Sequence, residues 1–467
     1  MAHDELEARL EVDARALVRQ LYQDHLDLRS LREQRVSVVA DAQGFAHRAV
    51  EADHDRPLAT IFGEVRFARL GYRAKGAENL YVADAWLNLP EELYSYGLRE
   101  RCCVEAARGS YEEAQEAIER STGVHLGKRQ VEQLARRGAT DIDEFYRQAE
   151  HEPAAACDVV VISADGKGIV MRPEGLRPAT KKAADQQVHK LKTRLSKGEK
   201  KNRKRIAELA VVYDAEPVAR QAVDIIGRSR DDPKPSGPQA KSKWVTASVV
   251  DDPRQVIAEA FAEASRRDPG HDRTWVVLVD GAKPQIDAMR AEAKQRGVTI
   301  HIVCDLVHVL EYIWGAAWCF YEQGDPGAER WVAEKAIAVL EGKAGIVAGA
   351  IRRKATALGL DPSKRTKADE CARYLKNKKP YLDYPTALAA GWPIATGVIE
   401  GCCRHVVRDR FDITGARWSL DGAEDMLKLR AVRANGDWPD YWTYHRGRQR
   451  ERVHASCYAG GVIPKAA

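Results

Sequence analysis

Apolar runs and apolar stripes alternate along this chain with periods that predict most of its elements. Asp4–Arg35 reads as one long polar helix in which Leu6, Leu10, Ala14, Leu17 and Leu21 recur every three or four positions. That stripe packs either on the body or on a second copy of the chain. Short strand-like pieces follow at Val36–Ala40 and Ile61–Tyr72. From Leu87 to Tyr146 the period is helical with short breaks. Ser110–Arg120, a turn containing Gly123, and His125–Arg137 form a helix-turn-helix pattern. Its second helix presents Lys128, Arg129, Gln130 and Gln133, side-chain types that reach phosphates and base edges. An ordinary helical hairpin with a polar outer face has the same pattern.

Beyond this point the period changes. Val159–Arg172, VVVISADGKGIVMR, opens on β-branched residues as a buried strand, with Asp165 where the run gives way to Gly166-Lys167-Gly168. Strand-like Leu209–Tyr213 and Lys243–Val250 follow, separated by a loop at Pro233–Pro238. A helix from Asp251, the strand Thr274–Asp280, a second helix and the strand Val298–Cys304 complete the series, and Asp305 lies just beyond it. The order strand, excursion, two strands, helix, strand, helix, strand matches a ribonuclease-H-like core, a mixed sheet that gathers carboxylates at neighbouring strand ends.

The chain is then helical through Ala328–Leu340, Ala344–Leu358 and Lys367–Leu375, and Leu310, Trp314 and Trp318 read as a core stripe. Thr396 is an N-cap for a further helix carrying Glu400, Arg404 and Arg408 on one face. The expected fold class is therefore α/β, with a ribonuclease-H-like mixed-sheet catalytic core and an inserted all-α domain. The expected divisions are a helix and small strand region (1–80), a mainly helical DNA-binding region (81–150), the first part of the core (155–309), the helical insertion (310–392) and the last part of the core (393–467).

Composition narrows the class. A chain of 467 residues, 44% hydrophobic and 31% charged, is globular and has room for two to four domains. It has no uncharged apolar run of the roughly 18 residues a membrane-spanning helix requires. The N-terminus lacks a signal-peptide core, so a cytoplasmic, nucleoid-associated protein is expected. The cysteines include adjacent pairs, Cys102-Cys103 and Cys402-Cys403, but no C-x-x-C. They read as reduced thiols rather than a zinc site. The net charge of +5 is small, yet Lys181–Arg205 holds eleven Lys/Arg against two acids, and Arg404, Arg408, Arg410, Arg417 and Arg430 cluster later. Such runs mark either a polyanion partner or solvated faces.

Asp165, Asp280 and Glu400 form a set: two acids after apolar strands and one on a helix beyond an insertion. Mg²⁺ prefers oxygen ligands, and two ions roughly 3.5–4 Å apart activate an attacking oxygen and stabilise a leaving one in phosphoryl transfer. Asp305 is the rival for the second position, with helix capping as its alternative role. His308 either orients Asp305, contacts DNA or simply starts a helix. Arg417 and Lys167 stand near these acids as candidates for phosphate contact, with surface roles as the alternative.

Three blocks carry a resemblance: SADGKGIVMRPEGLRPATKKA, CDLVHVLEYIWGAAWCF and ATGVIEGCCRHVVRDRFDITGARWSLDGAEDMLKLRA. They resemble the ISKra-type insertion-sequence transposases, of the DDE class and related to the Mutator-like group, from about Ile61 to the C-terminus. The resemblance implies a ribonuclease-H-like catalytic domain whose Asp, Asp, Glu triad falls on Asp165, Asp280 and Glu400. It also implies an Asp-x-x-His at Asp305 and His308, and an insertion domain between Asp305 and Glu400. Relatives with upstream zinc-ribbon cysteines differ from this chain, which has none between Tyr72 and Ala83.

The function expected is Mg²⁺-dependent cleavage of DNA at element ends and joining of the freed 3′-hydroxyl to target DNA. Two ions are expected, with Mn²⁺ able to substitute. Double-stranded DNA is the expected partner, held through Lys128, Arg129, Gln130, Gln133, Lys181, Lys182, Arg404, Arg408 and Arg417, by a homodimer or higher assembly. A nuclease without strand transfer and a silent DNA-binding regulator are the alternatives.

Overall fold

A computed structural model of the chain describes residues 1–149, 155–196, 199, 202–226 and 237–465. Lys197, Lys200 and Lys201 of the basic run, and positions 233–236 of the proline-rich loop, lie outside the described residues. The chain divides into two units, Met1–Gln148 with Gly436–Ala467, and Ala149–Asn435. The segment 393–467 therefore splits. Helix Leu420–Asn435 stays with the sheet, whereas helix Trp438–Val453 belongs with the N-terminal residues. Tyr441, Trp442 and His445 on that last helix are buried. The Tyr441 hydroxyl donates to the Gly138 carbonyl at 2.5 Å, and His445 Nδ1 meets Asp141 at 2.7 Å.

In the first unit, helix His3–Leu31 lies along a hairpin of β1 (Ala49–Thr60) and β2 (Gly63–Arg73). The sequence AVEADHDRPLAT hides β1, because its residues are largely exposed until Leu58 and show no apolar alternation. Val36–Ala40 forms no strand; Ala40 makes only an isolated bridge to Ala46. Helices Tyr96–Arg108, Tyr111–Thr122 and Lys128–Gly138 follow. Ser110 and Glu113 cap the second of these reciprocally, and Gly123, at φ 71°, ends it in the left-handed conformation that glycine adopts without strain.

In the second unit, β3 (Val159–Val170), β4 (Lys204–Ala215), β5 (Ala240–Ser248), β6 (Trp275–Val279) and β7 (Ile300–Cys304) form one sheet in the order β5-β4-β3-β6-β7. β3–β4 and β4–β5 are antiparallel, whereas β3–β6 and β6–β7 are parallel. The central strand is buried from Val159 to Ser163, as a β-branched run between two neighbours should be. Helix Pro253–Arg267 packs on β3, β4 and β5, and helix Leu420–Asn435 packs on β5. A buried ionic knot holds the first of these: Asp214 at the end of β4 accepts from Arg267 at 2.8 Å and Arg273 at 2.5 Å. Glu263 pairs with Arg266 and Arg267 beside it.

Between β7 and the last helices of this unit stand Leu306–Ala317, Pro326–Leu340, Ala344–Ala357 and Pro362–Lys378. The inward stripe of the first is Leu306, Val309, Ile313 and Ala316. This corrects the Leu310–Trp314–Trp318 reading: Trp318 is 49% exposed and stacks on Trp314 at 5.2 Å. Helical spacing permits either stripe, and neighbouring helices select one.

Candidate functional site

Asp165 does not stand at the end of its strand. β3 runs through it to Val170, pairing Asp165 with Leu209 of β4. What ends nearby is the parallel side, since β6 pairs with β3 only from Val160 to Ser163. β6 then stops at Val279, and the chain turns away at Asp280-Gly281, with Gly281 at φ 97°. The Ala164 carbonyl so released accepts from the Gln285 amide at 2.6 Å. Asp165 and Asp280 thus sit where two adjacent parallel strands part, which is where open α/β sheets form ligand crevices.

A cleft of about 660 Å³ opens there, lined by both aspartates and by Glu208, Asp252 and Asp287, with Arg254 and Lys283 as its only bases among the described residues. Lys283 is already paired with Asp287 at 2.5 Å, so the cleft favours cations. Gly166 faces Glu208 across the strands, and a Cβ at Gly166 would lie 2.8 Å from Ile206 Cγ2 and 3.1 Å from Glu208 Oε2. The absent side chain leaves room for that carboxylate. Burial, and secondarily the charge of Asp165, raise the Glu208 pKa above the ordinary carboxylate range. Sequence reading missed Glu208, although it is the single acid inside the apolar run IAELAVVY.

This shift has a testable sign. A carboxylate with a raised folded-state pKa binds its proton more tightly in the native state. Stability therefore rises as pH falls through the folded pKa and levels off below the unfolded one. Glu208→Gln is expected to be more stable than the parent at pH 7, with the difference shrinking as pH falls toward the ordinary carboxylate range. Urea midpoints across pH check this.

Glu400 lies on a helix that begins at Gly397–Cys402 and continues as a π-helical Cys403–Arg408 and then Asp409–Phe411. It does not line the cleft. Its helix packs against β3 and β4, and the Cys403 thiol, one turn along, donates to Asp165 Oδ2 at 3.4 Å. Burial, reinforced by the Asp165 charge, pushes the Cys403 thiol well up, which keeps it a neutral donor. Glu400 is exposed, and its Oε1 accepts from the Thr396 hydroxyl at 3.1 Å. Thr396 is the N-cap by position, but its hydroxyl serves Glu400 and caps no backbone N–H. The segment Cys403–Arg408 is wound as a π turn, and Glu400, Arg404 and Arg408 are all exposed along it.

Asp305 is fully buried, with its carboxylate oxygens accepting from the His308 N–H at 2.9 Å and the Thr396 N–H at 2.9 Å. It caps one helix and ties down the entry to the Glu400 helix. His308 Nδ1 stands 3.7 Å from it and 3.9 Å from Glu311. Among the described residues, no three His, Cys, Asp or Glu side chains stand together as a ready-made metal cluster.

The basic residues divide. Lys181 and Lys182 are exposed on helix Pro178–Asp185, and Arg404, Arg408 and Arg417 are exposed as well. Arg410 is buried with its guanidinium 4.7 Å above the Trp418 ring. Arg430 is turned inward onto the Val406 carbonyl at 2.7 Å, and burial pushes its pKa down to about 10. In the other unit, Lys128, Arg129, Gln130 and Gln133 are all exposed, but two are engaged. Lys128 pairs with Glu112 at 2.7 Å, and Gln130 bonds the Gly127 N–H and the Tyr94 hydroxyl.

No protein-family model matches the chain, and no curated protein matches it in sequence. Among solved structures it is similar to the Drosophila P element transposase strand transfer complex. The identity is 10% over 79% of this chain and 83% of that chain, with a TM-score of 0.25. A likeness of that size carries no weight for fold or function. No described helix is long and apolar enough to cross a membrane.

Proposed function

We propose that this chain is a DDE-class DNA transposase of ISKra type, built on a ribonuclease-H-like core, that cleaves DNA at its element's terminal inverted repeats and joins the freed ends to target DNA. The observation that carries the reading is the parting of β3 and β6, which sets Asp165 and Asp280 on one acid-rich cleft. Supporting it are the strand order, with two antiparallel strands on one side of β3 and two parallel ones on the other, and the three resembling sequence blocks.

The donor set suits a hard cation. Asp165, Asp280 and Glu400 offer oxygen, and their hydrogen bonds come from neutral donors: the Gly166 N–H and Cys403 thiol, the Ala282 N–H, and the Thr396 hydroxyl. Asp280 is preferred to Asp305 because Asp280 lines the cleft, whereas Asp305 is fully buried and lies outside it. Asp165 and Asp280 would hold Mg²⁺, or Mn²⁺ in its place; Glu400, which does not line the cleft, is the third ligand that the resemblance implies and would have to reach it from its helix. Two such ions, when bound, supply activation of the attacking oxygen and charge stabilisation on the leaving one. Thr396 orients Glu400, and Cys403 orients Asp165. Lys181, Lys182, Arg404 and Arg408 would bind phosphates, with the helix-turn-helix reading the repeats. Holding two ends together calls for a dimer or larger assembly.

Cleavage and strand transfer on DNA carrying element ends, with Mg²⁺ supplied, test the proposal. Cleavage without joining would mark a nuclease, and binding without either would mark a silent regulator. The phosphate contacts make a separate prediction. Each contact contributes about −0.9 to the slope of log K against log salt, so Lys181→Ala with Lys182→Ala is expected to flatten that slope by about two. Fluorescence anisotropy over a salt series reads it.

A further inference from the structure

Helix His3–Leu31 is 29 residues long, about 43 Å at 1.5 Å per residue, and among the described residues only one of its faces is occupied. Leu26 is buried against the hairpin. Gln23 exchanges two 2.8 Å hydrogen bonds with the Arg66 backbone, and the Ser30 hydroxyl donates to the Ala68 carbonyl. The opposite face carries Leu10, Ala14, Leu17, Leu21, Leu28 and Leu31, all exposed, with Leu17 at 61% and Leu21 at 59%. Their spacings of 4, 3, 4, 7 and 3 follow a heptad seam interrupted only at Asp24. A seam of this period asks for another helix of the same period.

We propose that this face is the dimerisation surface of the chain, seated antiparallel on the same helix of a second copy. Self-pairing is favoured because the seam is complementary to its own reverse. With Leu17 opposite Leu21 of the second copy, Leu10 meets Leu28, the small Ala14 leaves room beside Asp24, and Glu7 comes opposite Leu31 only at the two ends of the seam. Along the flanks Asp4 then approaches Arg32, and Glu11 approaches His25, each twice by symmetry. The one like-charge approach, Asp13 to Asp27, lies at the solvated rim, where screening is strong. A parallel pairing would instead stack Asp24 on Asp24 and Glu7 on Glu7 within the seam, which like-charge repulsion opposes. A two-fold contact of this kind closes on itself and gives a dimer. The inference rests on this helix alone and stands apart from the catalytic reading.

Light scattering on the full chain is expected to give twice the 52.0 kDa chain mass. Leu17→Glu with Leu21→Glu should halve it with unchanged far-UV circular dichroism, while Val12→Glu, exposed and off the seam, should leave it at the dimer value. In a background lacking the exposed Cys157 and Cys457, mixing Leu17→Cys with Leu21→Cys chains should trap the mixed disulfide over either self-pair. A wild-type monomer, or a dimer indifferent to Leu17→Glu with Leu21→Glu, overturns the surface. Preferential trapping of Leu17→Cys with itself overturns the antiparallel seating.

Discussion

Asp165→Asn and Asp280→Asn are each expected to lower DNA cleavage at least about 100-fold while leaving DNA binding and folding close to the parent. The size follows from comparison: loss of a partner that merely supports a metal ligand costs 10–100-fold, so loss of the ligand itself should cost no less. Folding is spared because neither carboxylate anchors the core. Asp165 bonds its neighbour's N–H and a thiol, and Asp280 bonds only the Ala282 N–H, all at the margin of an open cleft. Glu400→Gln should behave the same way, as its single hydrogen bond comes from Thr396. Gel-based cleavage of end-bearing DNA in Mg²⁺, beside an anisotropy titration, separates catalysis from binding. Wild-type cleavage by Asp165→Asn would remove the cleft from the mechanism.

Asp305→Ala is expected to act by the opposite route, lowering stability by about 2–6 kcal/mol. Truncation strands the N–H groups of His308 and Thr396, and each buried donor left unpaired costs about 1–3 kcal/mol. Activity should fall with the folded fraction and recover at lower temperature, whereas the Asp165 and Asp280 variants stay inactive although folded. Urea unfolding paired with cleavage at two temperatures distinguishes the outcomes. A stable, inactive Asp305→Ala would move the second ligand from Asp280 to Asp305.

That contrast also shows where sequence reading stops. Asp280 and Asp305 each follow a short apolar strand, and locally they are equivalent. Pairing decides between them. β6 loses its partner at Ser163, which opens a cleft beside Asp280, while the chain returning at Thr396 covers Asp305. Glu208 was illegible for a similar reason, because its place beside Asp165 depends on strand pairing that sets a glycine opposite it. The arginine cluster divided for want of the same information: the Trp418 ring and the Val406 carbonyl draw Arg410 and Arg430 inward, contacts that helical spacing does not specify.

The order of strands and helices in the sheet-bearing unit and the helical character of 310–392 were legible in the sequence alone. Those features rest on periods of 2 and 3.6 and on side-chain type, which are local properties. The tertiary structure alone decided that β3 continues past Asp165, that a π turn interrupts the Glu400 helix, and that the leucines of His3–Leu31 face solvent. Burial and hydrogen-bond partnership are supplied by distant segments, and no window of sequence contains them.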